Sequence, residues 1–94
     1  MKTGIELIAQ ERKEQIEKHG RTIEKDVIDN SRLQLSDAAS KLCADDAGGY
    51  WGTSTLPIGW NQEVWDKMTN KPYRERLIIA GALIAAEIDR IQKP

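Results

Sequence analysis

The sequence predicts an all-α protein of three or four helices built around a long C-terminal helix. Three observations carry that expectation. Apolar residues recur at helical spacing in several separate windows. No window alternates apolar and polar residues long enough for a strand. The window Leu77–Ala86 is apolar nearly all round, which suits a central helix covered by its neighbours.

The first helix is expected over Thr3–His19. Thr3 is placed to cap it, and Glu6, three residues on, completes a capping box. Ile5, Ile8, Arg12 and Ile16 share a stripe, and Gly20 suits the left-handed position that ends a helix. Arg21 to Asn30 reads as a polar connection, with Thr22 capping one short turn through Glu24 and Asp26 and Val27 and Ile28 dipping inward. Asn30 or Ser31 then caps a second helix to about Asp45, with Leu35, Ala38, Ala39 and Leu42 at helical spacing. Asp46 to Trp60 breaks the pattern with Gly48, Gly49, Gly52, Pro57 and Gly59, interleaved with aromatics. This is a Trp/Gly-rich loop, and a loop that long in a small domain is usually functional or disordered. Asn61 caps a short third helix, Gln62 to about Thr69. Pro72 starts the last helix, which runs to about Ile91.

A chain of 94 residues has room for one hydrophobic core, so residues 1–94 are expected to form a single domain. Formal net charge is −1, which lacks the basic footprint of a general nucleic-acid binder. The lone Cys43 excludes an internal disulfide framework and a multi-cysteine zinc site, and suits a small buried thiol. The ten-residue apolar run is half of what a membrane helix needs, and Met1–Glu6 carries no secretory signal, so a cytoplasmic protein is expected. Two shorter helices cannot cover the whole last helix. Gly81, Ala82, Ala85 and Ala86 would let another backbone approach, which predicts a homo-oligomer through this helix.

Three constellations are candidates for chemistry. The chain has no Phe, and its three Trp lie within residues 51–65 beside a basic cluster. Tyr50, Trp51, Trp60, Trp65 and Tyr73 offer flat faces for a base, and Lys67, Lys71 and Arg74 offer charge for a phosphate, so these eight residues form a candidate site for a small phosphorylated ligand. Glu11, Glu14 and Glu17 recur every three residues, and neighbours among them suit a hard cation such as magnesium, although helical glutamates more often form a solvated face. His19 ends a helix, where an imidazole complements the dipole and titrates near neutral pH.

The run from Ile8 to Gly20, followed by Thr22 and Asp26, resembles the opening of small all-helical proteins common in phages and prophages. Ala38-Ala39, the Leu56-Pro57-Ile58-Gly59-Trp60 segment and the helix from Leu77 to Arg90 continue the likeness, with Arg21 where those proteins carry an aromatic. More distantly, the opening helix is similar to that of MazG-like all-α nucleotide pyrophosphohydrolases. That resemblance implies magnesium held by Glu11, Glu14 and Asp37, polarising a phosphoryl group and positioning water. Ala38 and Ala39 follow Asp37, and Glu87 and Asp89 stand two apart, where that family carries further acidic residues at i,i+3. The expectation from the residues is therefore a protein that binds a nucleotide or similar ligand without turnover and without a cofactor; the alternatives are a divergent MazG-like hydrolase and a protein-interaction module using the apolar C-terminal helix.

Overall fold

In a computed structural model, residues 1–44 and 56–93 are described, and they form five helices with no strand among them: α1 (Gly4–Glu17), α2 (Ile23–Asp29), α3 (Gln34–Leu42), α4 (Gln62–Thr69) and α5 (Tyr73–Gln92). The long C-terminal helix is present. The count exceeds the expected three or four because the polar connection after Gly20 is itself helical. Most of the predicted loop over 46–60, with Tyr50 and Trp51, lies outside the described residues.

Local chemistry sets the ends of these helices. Thr3 and Glu6 form the reciprocal capping box, with Thr3 N–H donating to Glu6 Oε1 at 3.0 Å and Glu6 N–H to Thr3 Oγ1 at 3.3 Å. Gly20 takes φ +66°, and the amides of Gly20 and Arg21 close the helix end onto Ile16 O and Gln15 O. Thr22 caps α2 and Asn61 caps α4 through their side chains. α3 begins at Gln34, later than expected. Its N-cap, Leu33, sits at φ +65° and makes no side-chain cap bond.

α5 is the common partner: it touches all four other helices, most extensively α3 and α1. The core joins Leu35, Ala38, Ala39 and Leu42 of α3, Trp65 and Met68 of α4, and Ile79, Ala80, Leu83 and Ala86 of α5. Ile8 fills the space over Gly81 so closely that a Cβ there would lie 2.5 Å from Ile8 Cδ1. The small residues of α5 thus serve packing inside the chain: Gly81 receives α1, and Ala82 and Ala86 are buried. What α5 leaves exposed is a stripe of larger side chains, Tyr73, Leu77, Ile84, Ile88 and Ile91.

Further expectations change: Val27 and Ile28, expected to dip inward, are 38% and 76% exposed. The inner face of α1 is not an aliphatic stripe. Ile5 and Ile16 are exposed, and the residues it buries are Arg12 and Gln15. Cys43, expected to be buried, is exposed at the C-cap of α3, one residue past the helix end. No helix among the described residues is long and apolar enough to cross a membrane.

Candidate functional site

A cleft of about 610 Å³ opens between the corner that joins α1 to α2 and the turn before α4. His19, Gly20, Arg21, Lys25, Asp26, Asp29 and Asn30 line it from the first side, and Gly59, Trp60, Asn61 and Val64 from the second. Its size falls in the range of small-molecule sites.

The turn that presents Trp60 follows from its residues. Trp60 N–H donates to Pro57 O at 3.1 Å, and Gly59 supplies the φ of +81° that this turn needs and that a side chain resists. Gln34 fastens the turn to the start of α3. Its Nε2 donates to Ile58 O at 3.3 Å and to Asp29 O at 3.1 Å, while its Oε1 accepts from Arg32 N–H. Trp60 then packs edge-on against the fully buried Trp65, with ring centroids 5.9 Å apart. The Arg21 guanidinium lies over the Trp60 ring, 5.6 Å from its centroid.

A buried polar cluster forms part of the cleft wall and extends behind it. Trp60 Nε1 donates to Asn30 Oδ1 at 2.9 Å, and Asn30 Nδ2 donates to Asp26 Oδ1 at 2.8 Å. Arg12 Nη1 donates to Arg21 O at 3.2 Å, and its Nη2 stands 3.5 Å from Asp89 Oδ2, an ion pair without hydrogen-bond alignment. Asp26 is 2% exposed. Burial pushes its carboxyl pKa above the ordinary value, against the bond from Asn30 and the charges of Arg12 and Arg21, while Glu87 adds to the rise. Burial likewise pulls the Arg21 guanidinium pKa below its usual value, with Asp26 and Glu11 opposing. Several buried polar atoms of this cluster have no hydrogen-bond partner among the described residues: Arg12 Nε and Nη2, Gln15 Oε1, Arg21 Nη1 and Asp26 Oδ2. Buried polar groups are normally paired, so a concentration of exceptions in one place asks for a function.

The structure distributes the eight candidate ligand residues widely. Trp60 lines the cleft. Trp65 is fully buried, so its faces are core surface rather than a platform. Lys67 and Arg74 are exposed, Arg74 beside Glu75 at 3.2 Å. Tyr73 lies under the guanidinium of Arg76, at 5.3 Å. Lys71 lines a second, smaller groove of about 200 Å³ between α1 and α5, with Gln10, Glu11, Glu14 and Glu75. Tyr50 and Trp51 lie outside the described residues. Arg76, also part of the basic cluster, is a structural clamp: it is buried and donates to Lys71 O and Leu42 O, both at 3.0 Å, and to Ala44 O.

Of the residues implied for magnesium, Glu11 and Glu14 share the second groove, whereas Asp37 on α3 is paired with Lys41 at 3.0 Å and does not line it. No group of three His, Cys, Asp or Glu side chains among the described residues is arranged to hold a metal ion. Among the cleft residues, Arg21, Lys25 and Asn30 were assigned to no site from the sequence. Their only signal was position: a polar stretch following Gly20, closed by the cap at Thr22.

Compared with known proteins, the chain matches no family model, no curated protein and no solved structure.

Proposed function

We propose that this protein binds a nucleotide or other small phosphorylated ligand in the cleft beside Trp60, without turning it over, and that it works as a homo-oligomer. The observation that carries the proposal is the wall of the cleft. There Arg21 Nη1 and Asp26 Oδ2, both buried and both without a hydrogen-bond partner, meet Lys25, His19 and an aromatic face. Lys25 and His19 are exposed, so they form a polar rim, with the charge of Lys25, that suits a phosphate without full desolvation. Arg21 stands within, partly buried, where a charge-assisted bond is stronger than at the surface. The exposed stripe of α5 supports self-association, since Leu77, Ile84 and Ile91 recur every seven residues, the spacing at which helices pair.

Thermal denaturation against a panel of nucleotides, with and without magnesium, tests the ligand. A nucleotide at one hundred times its Kd adds about 2.7 kcal/mol, which raises the melting temperature of a chain this size by roughly 10 °C or more. The expected result is such a rise without magnesium, lost in Arg21→Ala. No shift with any nucleotide or sugar phosphate would reject the reading. Pyrophosphate release in magnesium, abolished by Glu14→Ala, would replace it with metal-dependent hydrolysis.

A further inference from the structure

The chain Trp60–Asn30–Asp26 has only one possible polarity. An indole N–H donates and cannot accept. Its bond to Asn30 Oδ1 therefore turns the Asn30 amide nitrogen toward Asp26, where it donates to Oδ1. One carboxylate oxygen is engaged and held in place. The other, Oδ2, is left buried and unpartnered on a residue that lines the cleft. On the same wall, Arg21 leaves Nη1 buried and unpartnered. An ionised carboxylate accepts only, and a guanidinium donates only. A group that satisfies both must bring a donor and an acceptor together. A phosphate in its ionised form brings acceptors alone, and it is repelled by Asp26. A nucleobase edge brings both, an N–H beside a carbonyl oxygen or a ring nitrogen.

We infer that Asp26 determines the specificity of this cleft by accepting, at Oδ2, a hydrogen bond from an N–H of a nucleobase whose neighbouring acceptor takes the Arg21 Nη1 donor, with the phosphate at the Lys25 and His19 rim. The inference rests on the phosphorylated-ligand reading above and narrows it to nucleotides. Inorganic phosphate presents no such edge, and the hydroxyls of a sugar phosphate, which also donate and accept, make ribose 5-phosphate the control that separates base from sugar recognition.

Calorimetric titration of the full chain tests it with the four ribonucleoside 5′-monophosphates, ribose 5-phosphate, inorganic phosphate and purine riboside 5′-monophosphate, whose base has no N–H. At least one of the four nucleotides is expected to bind ten times or more tighter than ribose 5-phosphate, and purine riboside monophosphate to bind no better than the sugar phosphate. Asp26→Asn sharpens the comparison. Asn30 still donates toward position 26, so the new amide turns its oxygen to Asn30 and places its nitrogen, a donor, where Oδ2 accepted. The nucleotide should then bind at least tenfold more weakly than to wild type, while ribose 5-phosphate, relieved of the repulsion by Asp26, binds no more weakly. That second value also checks that the variant is folded. The wild-type comparison with purine riboside monophosphate stands independently if it is not. Equal binding of nucleotides, ribose 5-phosphate and purine riboside monophosphate to wild type would overturn base recognition and leave the phosphorylated-ligand reading intact, with Oδ2 served by an ordered water. Absence of binding by every probe would overturn both.

Discussion

Asp26 joins the chemistry of the cleft to the stability of the fold. Its carboxyl is raised mainly by burial, so the folded state holds the proton more tightly than the unfolded chain does. Below both pKa values the two states bind that proton equally, and the residue contributes no pH dependence. As pH rises from the ordinary value of 3.8 through the folded one, the unfolded chain ionises first and stability is lost; above both, the full cost of burying the charge remains. Glu6 has the opposite sign. Its pKa is lowered, chiefly by the Thr3 backbone N–H, so its contribution is present above the ordinary value and lost in acid. Asp26→Asn removes the first effect and keeps the second. Urea unfolding at pH 7 and at pH 3.5, just below the ordinary carboxyl value, should therefore show the stability difference, wild type minus Asp26→Asn, moving toward wild type as pH falls. A difference independent of pH would mean that the burial of Asp26 does not govern its titration. None of this is legible in the sequence, where Asp26 is one charged residue among Glu24, Lys25 and Asp29. Burial is a tertiary fact, and Asp26 is buried because α2 docks on α5. Trp60 stood out in the sequence as one of three tryptophans within fifteen residues, and the structure places it on the cleft.

Among the elements, the legible ones carried local signals. Thr3 with Glu6, Asn61 and Pro72 mark the starts of α1, α4 and α5, and each cap works through atoms within a few residues. α2 escaped because its apolar residues do not form a buried stripe: Val27 is 38% and Ile28 76% exposed. α3 is an instructive intermediate. Its core face was visible in Leu35, Ala38, Ala39 and Leu42, but its start was not, because no side chain caps it. Leu33 stands there in the left-handed region, where the Cβ of an L-residue is crowded by about 1–2 kcal/mol. Its side chain is 59% exposed, so little packing offsets that strain. Leu33→Gly should relieve it, less the added freedom of the unfolded chain, and stabilise the protein by about 0.5–1 kcal/mol in urea unfolding. A loss of stability would mean that the contacts of Leu33 outweigh its backbone strain.

For the whole molecule, the decisive element is α5, and what matters is the face it has left after folding. α3 takes one side through Ile79, Leu83 and Ala86, and α1 takes another through Ile8 on Gly81 and Arg12 beside Asp89. The sequence suggested association through the small residues, because glycine and alanine admit a second backbone wherever it comes from. Within the chain, α1 is that second backbone. The proposed contact between copies therefore belongs to Leu77, Ile84, Ile88 and Ile91, which are 39–63% exposed and span roughly 21 Å of helix at 1.5 Å per residue. Full burial of such a side chain is worth about 1.5–3 kcal/mol. These are already partly covered, so each gains only a fraction of that, and association itself costs about 4 kcal/mol or more. The balance favours a weak dimer that forms with concentration. Light scattering from micromolar to several hundred micromolar protein should show a mass rising from 10.6 kDa toward twice that value. Ile84→Asp should hold the mass at one chain throughout, with the melting temperature little changed, because Ile84 is 47% exposed and lies outside the core. A wild-type mass fixed at one chain over the whole range would show that the stripe does not drive self-association, and the cleft beside Trp60 would then have to work within a single copy.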